Sequence, residues 1–366
     1  MKFVCNGLVL SEAVMKVSKA CAVRTTAPIM EYIKITAGRN CVSLLATDGE
    51  ISILKEVNAE IFEEGAVCVP GKLFADFVSK LTGEEINITS SENGIYIGYA
   101  DAGTNMQTLD ESEFPVIDFS VDENSYVLKK GDLKKIIGET AFCCAQDDSR
   151  PILKGCLMTF GDKLETVALD GYRLALSQAA LVSKSGENKI VCPARTLTEI
   201  SRMLSDDDEE EIVIYTKGGM FMVSCEGTVI VSRLYNGEFI DKNKVIPASF
   251  STTVTLKKNE LIASVERAAI LIRGDKNNLV TLTVGQNFVK VASSSEIGNV
   301  AESVKAQVEG MEFTISMNAK FLLDALKVLE EEEVVLSFNG AISPFIVQNK
   351  EEKHNLYLIL PVRKVS

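Results

Sequence analysis

Two rhythms of apolar and polar residues alternate along this chain. Short runs such as YIKITAG, SLLATDGEISIL, GIYIGYA, VIVSRLY, FVKVASS and NLYLILPV place apolar residues at every second position. That is the period of a strand with one buried face. Between them lie stretches with apolar residues three and four apart, the period of an amphipathic helix. Six such stretches are predicted: LSEAVMKVSKAC (10–21), VPGKLFADFVSKL (69–81), GDLKKIIGETAFCC (131–144), CPARTLTEISRML (192–204), NELIASVERAAIL (259–271) and MNAKFLLDALKVL (317–329).

These stretches repeat. The second, fourth and sixth begin 123 and 125 residues apart, and each is followed by acidic residues and a strand-like run: GEEINI, SDDDEEEIVI and EEEEVVLSF. The first, third and fifth each precede a partner by about 60 residues. A turn repeats as well, ATDGEISILK at 46–55 and ALDGYRLALS at 168–177. Three copies of a two-half unit account for this pattern, with spans read as 1–122, 123–249 and 250–366. Hairpin-linked strands imply antiparallel sheets, and two helices per copy cover one face of them, so the predicted class is α+β. A chain of 366 residues is also too long for one ordinary core.

Charge changes the picture. In the first helix Leu10, Ala13, Val14, Val17, Ala20 and Cys21 share one stripe, which leaves Lys16 and Lys19 opposite. The others follow suit: Lys72 opposes Leu73, Phe77 and Leu81; Arg195 and Arg202 oppose Leu197, Ile200 and Leu204; Lys320 and Lys327 oppose Phe321, Ala325 and Leu329. Lys135 and Arg267 sit similarly. Segments 11–20, 70–81, 131–140, 193–204, 257–271 and 318–329 hold 13 basic and 8 acidic residues, a net of +5; the whole chain carries −13, so the rest carries −18. Each lysine alone reads equally as an ordinary solvated position. Six helices that agree point to a basic surface in an acidic protein, attractive to phosphates on one face only.

Geometry limits what that surface can enclose. Helices about 10 Å wide give six of them a closed bore of roughly 19 Å, and twelve a bore of roughly 38 Å. Duplex DNA is roughly 20 Å across. One chain cannot surround it, whereas two chains arranged head to tail leave room for a layer of water.

Other chemistries find little support. The single histidine, His354, lies in a polar EEKHN turn. GAVCVPGKL has five residues between its glycines and a leucine after its lysine, unlike a phosphate-binding loop. No metal-ligand spacing or nucleophile elbow occurs, so neither enzyme, metal nor cofactor is expected. The acidic runs at 206–211 and 330–333 read as solvated turns. Nine cysteines (Cys5, Cys21, Cys41, Cys68, Cys143, Cys144, Cys156, Cys192 and Cys225) are scattered and read as free thiols. No run approaches a membrane span and the start lacks a secretory layout, so a cytoplasmic location is expected.

From MKFVCNGLVLSEAVMKVS through PIMEYIKI, RPILKGCLM, ALDGYRLALS and GEFIDKNKVIP to YLILPVR, the sequence resembles the bacterial sliding-clamp family, the β subunits of DNA polymerase III. That resemblance implies a DNA-clamp fold of three repeated domains and a ring-shaped homodimer on duplex DNA. Its implied partners are the polymerase α subunit, the clamp-loader complex, and other replication and repair proteins that carry clamp-binding peptides.

Family partners insert an extended peptide with apolar anchors. The matching positions here are Leu153, Leu169, Gly171, Tyr172, Arg173, Leu174, Ile240, Lys244, Val245, Leu358, Leu360, Pro361, Val362 and Arg363. Tyr172 and Arg173 would form the rim. The alternative for Leu153, Leu174 and Leu360 is plain core, and for Arg173 and Arg363 a salt bridge. Leu169, Ile240 and Lys244 stand where relatives often carry threonine, proline and arginine, which implies a greasier pocket. DNA-facing positions would be Arg24, Lys72, Lys80, Arg150, Arg195 and Arg202. At the dimer joint, Ile270 and Leu271 match an apolar knob that Met106 would face. Lys364, Val365 and Ser366 extend past the family's usual end. A scaffold of the same architecture that encloses no DNA is the remaining alternative.

Overall fold

The computed structural model describes residues 1–91, 94–121, 124–204, 209–273 and 278–363. Positions 206–208 of the first acidic run, the boundary at 122–123 and the tail Lys364, Val365 and Ser366 lie outside the described residues. Among those described, six α-helices form: α1 (Gly7–Val17), α2 (Gly71–Val78), α3 (Lys130–Thr140), α4 (Ala194–Met203), α5 (Lys258–Leu271) and α6 (Ala319–Val328).

Each helix grows directly from the end of a strand. Lys2–Asn6, Asn124–Lys129 and Thr252–Lys257 lead into α1, α3 and α5; Gly65–Pro70, Asn188–Pro193 and Phe313–Asn318 lead into α2, α4 and α6. Asparagine closes two of these junctions. The Asn6 carboxamide oxygen accepts from the N–H groups of Leu8 and Val9, and that of Asn318 accepts from Lys320 N–H, satisfying donors that a helix start leaves open. Gly7 follows because a Cβ there would lie 2.0 Å from the Leu81 carbonyl oxygen.

The predicted faces are largely the buried ones: Leu10, Ala13, Val14 and Val17 on α1, Leu197 and Ile200 on α4, Ala325 on α6. α2 departs from the expectation. Phe74 and Val78 turn inward, and Leu73, assigned to the apolar stripe, is 57% exposed. Phe74 and Val78, four apart, share the inward stripe, and Leu73 falls to its outer side; the ring has the larger apolar area to bury.

By contacts the chain divides into two compact units. The first comprises Met1–Gly131, Val182–Gly186 and Glu199–Leu234, and holds a five-stranded and a nine-stranded sheet, antiparallel throughout. The second comprises Asp132–Leu181, Glu187–Thr198 and Tyr235 onward, and holds a twelve-stranded antiparallel sheet.

Each unit contains the same sheet joint. In the first, strand Thr228–Arg233 lies beside Ile51–Val57, with Thr228 opposite Lys55, Ile230 opposite Ile53 and Ser232 opposite Ile51. In the second, Asn355–Ile359 lies beside Arg173–Ala180, with Asn355 opposite Ser177, Tyr357 opposite Ala175 and Ile359 opposite Arg173. The flanking hydrogen bonds also correspond. Arg233 N–H donates to the Glu50 carbonyl at 2.9 Å and Leu360 N–H to that of Tyr172 at 2.9 Å; at the other end Glu56 N–H reaches Gly227 and Gln178 N–H reaches His354.

The repeated Asp-Gly turns feed these joints. The Asp48 carboxylate accepts from the N–H groups of Glu50 and Ile51, and the Asp170 carboxylate from those of Tyr172 and Arg173. Gly49 and Gly171 adopt φ of 89° and 91°, where a side chain is strained. Two equivalent strands lack such a neighbour. Ala102–Gln107 forms an edge of the five-stranded sheet, bonded only to Gly94–Tyr99. In Gly298–Glu309, Ala306–Glu309 pair with Thr253–Leu256, and Gly298–Lys305 pair with Phe288–Ser295 alone among the described residues.

Candidate functional site

The predicted peptide-site residues fall mostly on neighbouring strands of the second unit, where Lys163–Leu169, Arg173–Ala180 and Asn355–Ile359 run side by side. Leu153, Leu169, Leu174 and Leu358 are buried there in one apolar cluster, and Ile240, Val245 and Leu360 pack half-buried against it. Leu153 arrives from a 3-10 turn, Pro151–Lys154, that begins at the proline. Leu153, Leu174 and Leu358 are so deeply buried that they form a floor under the site. The half-buried residues are the ones a ligand can touch. They include Ile152, which sequence reasoning passed over.

Arg173 differs from its expectation as a rim residue. Only 8% of it is exposed. Its Nε donates to Asp170 Oδ2 at 3.0 Å, Nη1 to Asp324 Oδ2 at 2.7 Å and Nη2 to the Phe142 carbonyl at 2.9 Å. The guanidinium also lies 4.5 Å from the Phe321 ring centroid and 5.4 Å from that of Phe142. Burial opposes its charge, but the neighbouring Cys143 together with Asp324 and Asp170 outweighs that and holds it above its ordinary pKa. Arg173 therefore braces α6 and the 3-10 turn Ala141–Cys143 that follows α3 against the strand.

Tyr172 does stand at the rim, 66% exposed, with its ring stacked on Phe321 at 6.5 Å. Phe321, Asp324 and Phe142 went unnoticed as neighbours of this site. Phe321 lay in the helix pattern of α6, but nothing local signals contact with a turn about 150 residues earlier.

The remaining peptide-site positions are peripheral. Lys244 is exposed on the short turn Lys242–Lys244, which Asp241 caps by accepting from Asn243 N–H. Pro361 and Val362 are half-buried, with Val362 N–H bonded to the Ser316 carbonyl, and Arg363 is exposed.

Of the predicted DNA-facing residues, Arg24, Lys72, Lys80 and Arg150 are exposed and make no ion pair among the described residues. Arg195 is exposed but engaged, and Arg202 pairs with Glu199 at 2.6 Å. Several other helix cations are also matched: Lys135 with Glu330, Arg267 with Glu302 and Lys327 with Glu266. The free basic surface is thus smaller than the helix count suggests.

The dimer residues divide. Ile270 is 67% exposed near the end of α5, and Leu271 is half-buried. Met106, expected to face them, is 7% exposed and turned into its own sheet. It occupies an alternate inward position of its strand, so the backbone edge, not this side chain, is what it could offer a partner.

His354, although in a polar turn, reaches a buried acid. Its Nε2 lies 3.1 Å from Oε1 of buried Glu139, which also accepts from Asn355 and Ser177. The second acidic run is anchored: Glu331 accepts N–H groups of Glu351 and Glu352, and Glu333 pairs with Lys350. All nine cysteines are free. Burial raises the thiols of Cys5 and Cys21 to about 12 and that of Cys68 to about 11, which keeps them protonated and weakly nucleophilic. Among the described residues no group of acids, histidines and cysteines gathers as metal ligands.

Family models of the DNA polymerase III beta subunit match end to end: the N-terminal domain over residues 1–118, the central domain over 127–241 and the C-terminal domain over 243–363. The chain is 33% identical over 357 residues to the beta sliding clamp of Staphylococcus epidermidis, covering 94% of each. Among solved structures it is similar to the DNA polymerase sliding clamp of Bacillus subtilis, with a TM-score of 0.96, 32% identity, and coverage of 100% of this chain and 99% of that one. The DNA polymerase III beta chain of Streptococcus pneumoniae gives a TM-score of 0.94 at 30% identity, covering 99% of this chain and all of the other. The chain therefore belongs to the DNA polymerase III beta-subunit family, and it is a sliding clamp rather than an enzyme.

Proposed function

We propose that two copies of this chain close head to tail into a ring around duplex DNA and tether the replicative polymerase to it. The observation that carries this is the internal joint. Twice, the last strand of one repeat adds antiparallel to the fourth strand of the preceding repeat, in the same register. The last strand of the first repeat, Ala102–Gln107, and the stretch Gly298–Lys305 of the fourth strand of the third have no second strand partner among the described residues.

Carrying the same register onto those edges sets Met106 opposite Gly298, Asn105 opposite Asn299, Thr104 opposite Val300 and Ala102 opposite Glu302 of the second copy. Open edges invite such addition, and two identical joints close a symmetric pair. The exposed Ile270 and the adjoining Leu271 support the same contact, since α5 packs on Gly298–Glu309 and Arg267 pairs with Glu302. The repeats are read as domains 1–122, 123–249 and 250–366.

In this reading the exposed cations Arg24, Lys72, Lys80 and Arg150, with Arg195 and Arg202, meet phosphates without reading sequence. The apolar cluster under Tyr172, together with Gly171, Arg173, Lys244 and Pro361 to Arg363, receives an extended peptide of the polymerase α subunit, the clamp loader or other replication and repair proteins. Work on replicating DNA places the protein in the cytoplasm, and no described helix is long and apolar enough to cross a membrane. The test is sedimentation equilibrium at micromolar concentration. A mass of about twice the 39.9 kDa chain is expected, and a monomer there contradicts the proposal.

A further inference from the structure

We propose that Asp101 of one copy reaches Arg267 of the other and forms an ion pair that ties the two chains together beside the open joint. This rests on the head-to-tail reading above and adds to it a side-chain contact that strand register alone does not supply.

The two internal joints show what the turn ahead of the added strand does. In the second unit His354, one residue before Asn355, places its Nε2 3.1 Å from Oε1 of Glu139 on α3. Ser177, which faces Asn355 across the joint, donates to the other carboxylate oxygen. One helix residue thus holds both the strand it covers and the turn that arrives beside it. In the first unit the matching turn residue is Gly227, and a Cβ there would lie 3.6 Å from Nζ of Lys55, the residue that faces Thr228. A side chain at this turn position therefore points onto the joint.

The open joint carries the same three positions. α3 and α5 begin alike, the N–H groups of Lys130 and Lys258 donating to the carbonyls of Glu210 and Glu332. Glu139 lies nine positions after Lys130, and Arg267 nine positions after Lys258. Glu302 takes the place of Ser177, and Asp101 that of His354 and Gly227: its hairpin pairs Tyr99 with Ala102 as the other pairs Cys225 with Thr228. Arg267 already holds Glu302 through Nε and Nη2, which leaves Nη1 without a partner among the described residues. Asp101 is exposed, and its carboxylate has no partner among them either. Helix and turn thus present opposite charges, with acid and base exchanged relative to Glu139 and His354. A guanidinium can serve two carboxylates on different edges. Arg267 then stands between Glu302 and the second copy's Asp101, as Glu139 stands between Ser177 and His354.

The experiment is a double-mutant cycle on the dissociation constant of the full-length dimer, read by diluting fluorescently labelled protein. Asp101→Asn and Arg267→Gln are each expected to weaken the dimer about tenfold, because two joints each lose a pair that contributes about threefold. The double variant should be no weaker than either single one, since both remove the same contact. Wild type should also lose affinity with added salt more steeply than Asp101→Asn. Arg267→Gln disturbs Glu302 within its own chain, so Asp101→Asn, on an exposed turn, is the decisive variant. An Asp101→Asn dimer as tight as wild type, or losses that add in the double variant, overturns the inference. If wild type is a monomer at micromolar concentration, the head-to-tail reading fails and this inference with it.

Discussion

Arg173 shows how far one residue can depart from its place in the sequence. Its neighbour at i−3, Asp170, is visible locally, but Asp324 is distant in the chain, so no local pattern distinguishes a rim arginine from a buried brace. The leucines were ambiguous for a related reason: alternation gives a buried face without saying whether a ligand shares it. Truncating Arg173 would strand two acids, and breaking a buried pair costs about 3–5 kcal/mol. Arg173→Ala is therefore expected to lower the urea midpoint markedly, and is a poor probe of binding. Tyr172→Ala with Leu360→Ala probes the site itself. Anchor losses of about 2 kcal/mol or more are typical of interface centres, so peptide affinity should fall at least about thirtyfold in a fluorescence titration while sedimentation still reports a dimer. Loss of the dimer would instead assign these residues to the fold.

At the scale of elements, periodicity gave all six helices and the strand-to-helix junctions, because both rhythms are local. It failed at α2, where apolar residues occupy two sides of a short helix and only packing chooses Phe74 over Leu73. Strand register was out of reach from sequence, since which edge meets which is decided between segments far apart. Once two joints are seen, the repeat supplies the third. In a two-residue hairpin the N–H groups alternate between partner and open side. Tyr99 pairs with Ala102 across such a turn, so the Asn105 N–H points away from its own hairpin. Asn105→Pro removes that outward donor and keeps the internal ladder. The expected outcome is a monomer at micromolar concentration with an unchanged circular dichroism spectrum. A dimer as tight as wild type would show that the edge is not the joint.

For the whole molecule, the threefold repeat and the contrast of basic helices with an acidic remainder were legible in the order of residues along the chain. The extent of internal pairing was not. Glu199, Glu266, Glu302 and Glu330 each cancel a helix cation, and three of these acids lie in the turns, strands or helices of a different segment. What remains exposed, Arg24, Lys72, Lys80 and Arg150 among others, is a sparse set of cations suited to loose, salt-sensitive contact with phosphates. Sparse contact holds a protein on DNA only if topology does the rest. The direct measurement is retention of the protein, loaded by its clamp loader and ATP, on circular DNA through gel filtration in moderate salt, before and after a single restriction cut. Co-elution with the circle and loss after linearisation are predicted; equal retention on both forms, or on neither, would contradict an encircling clamp.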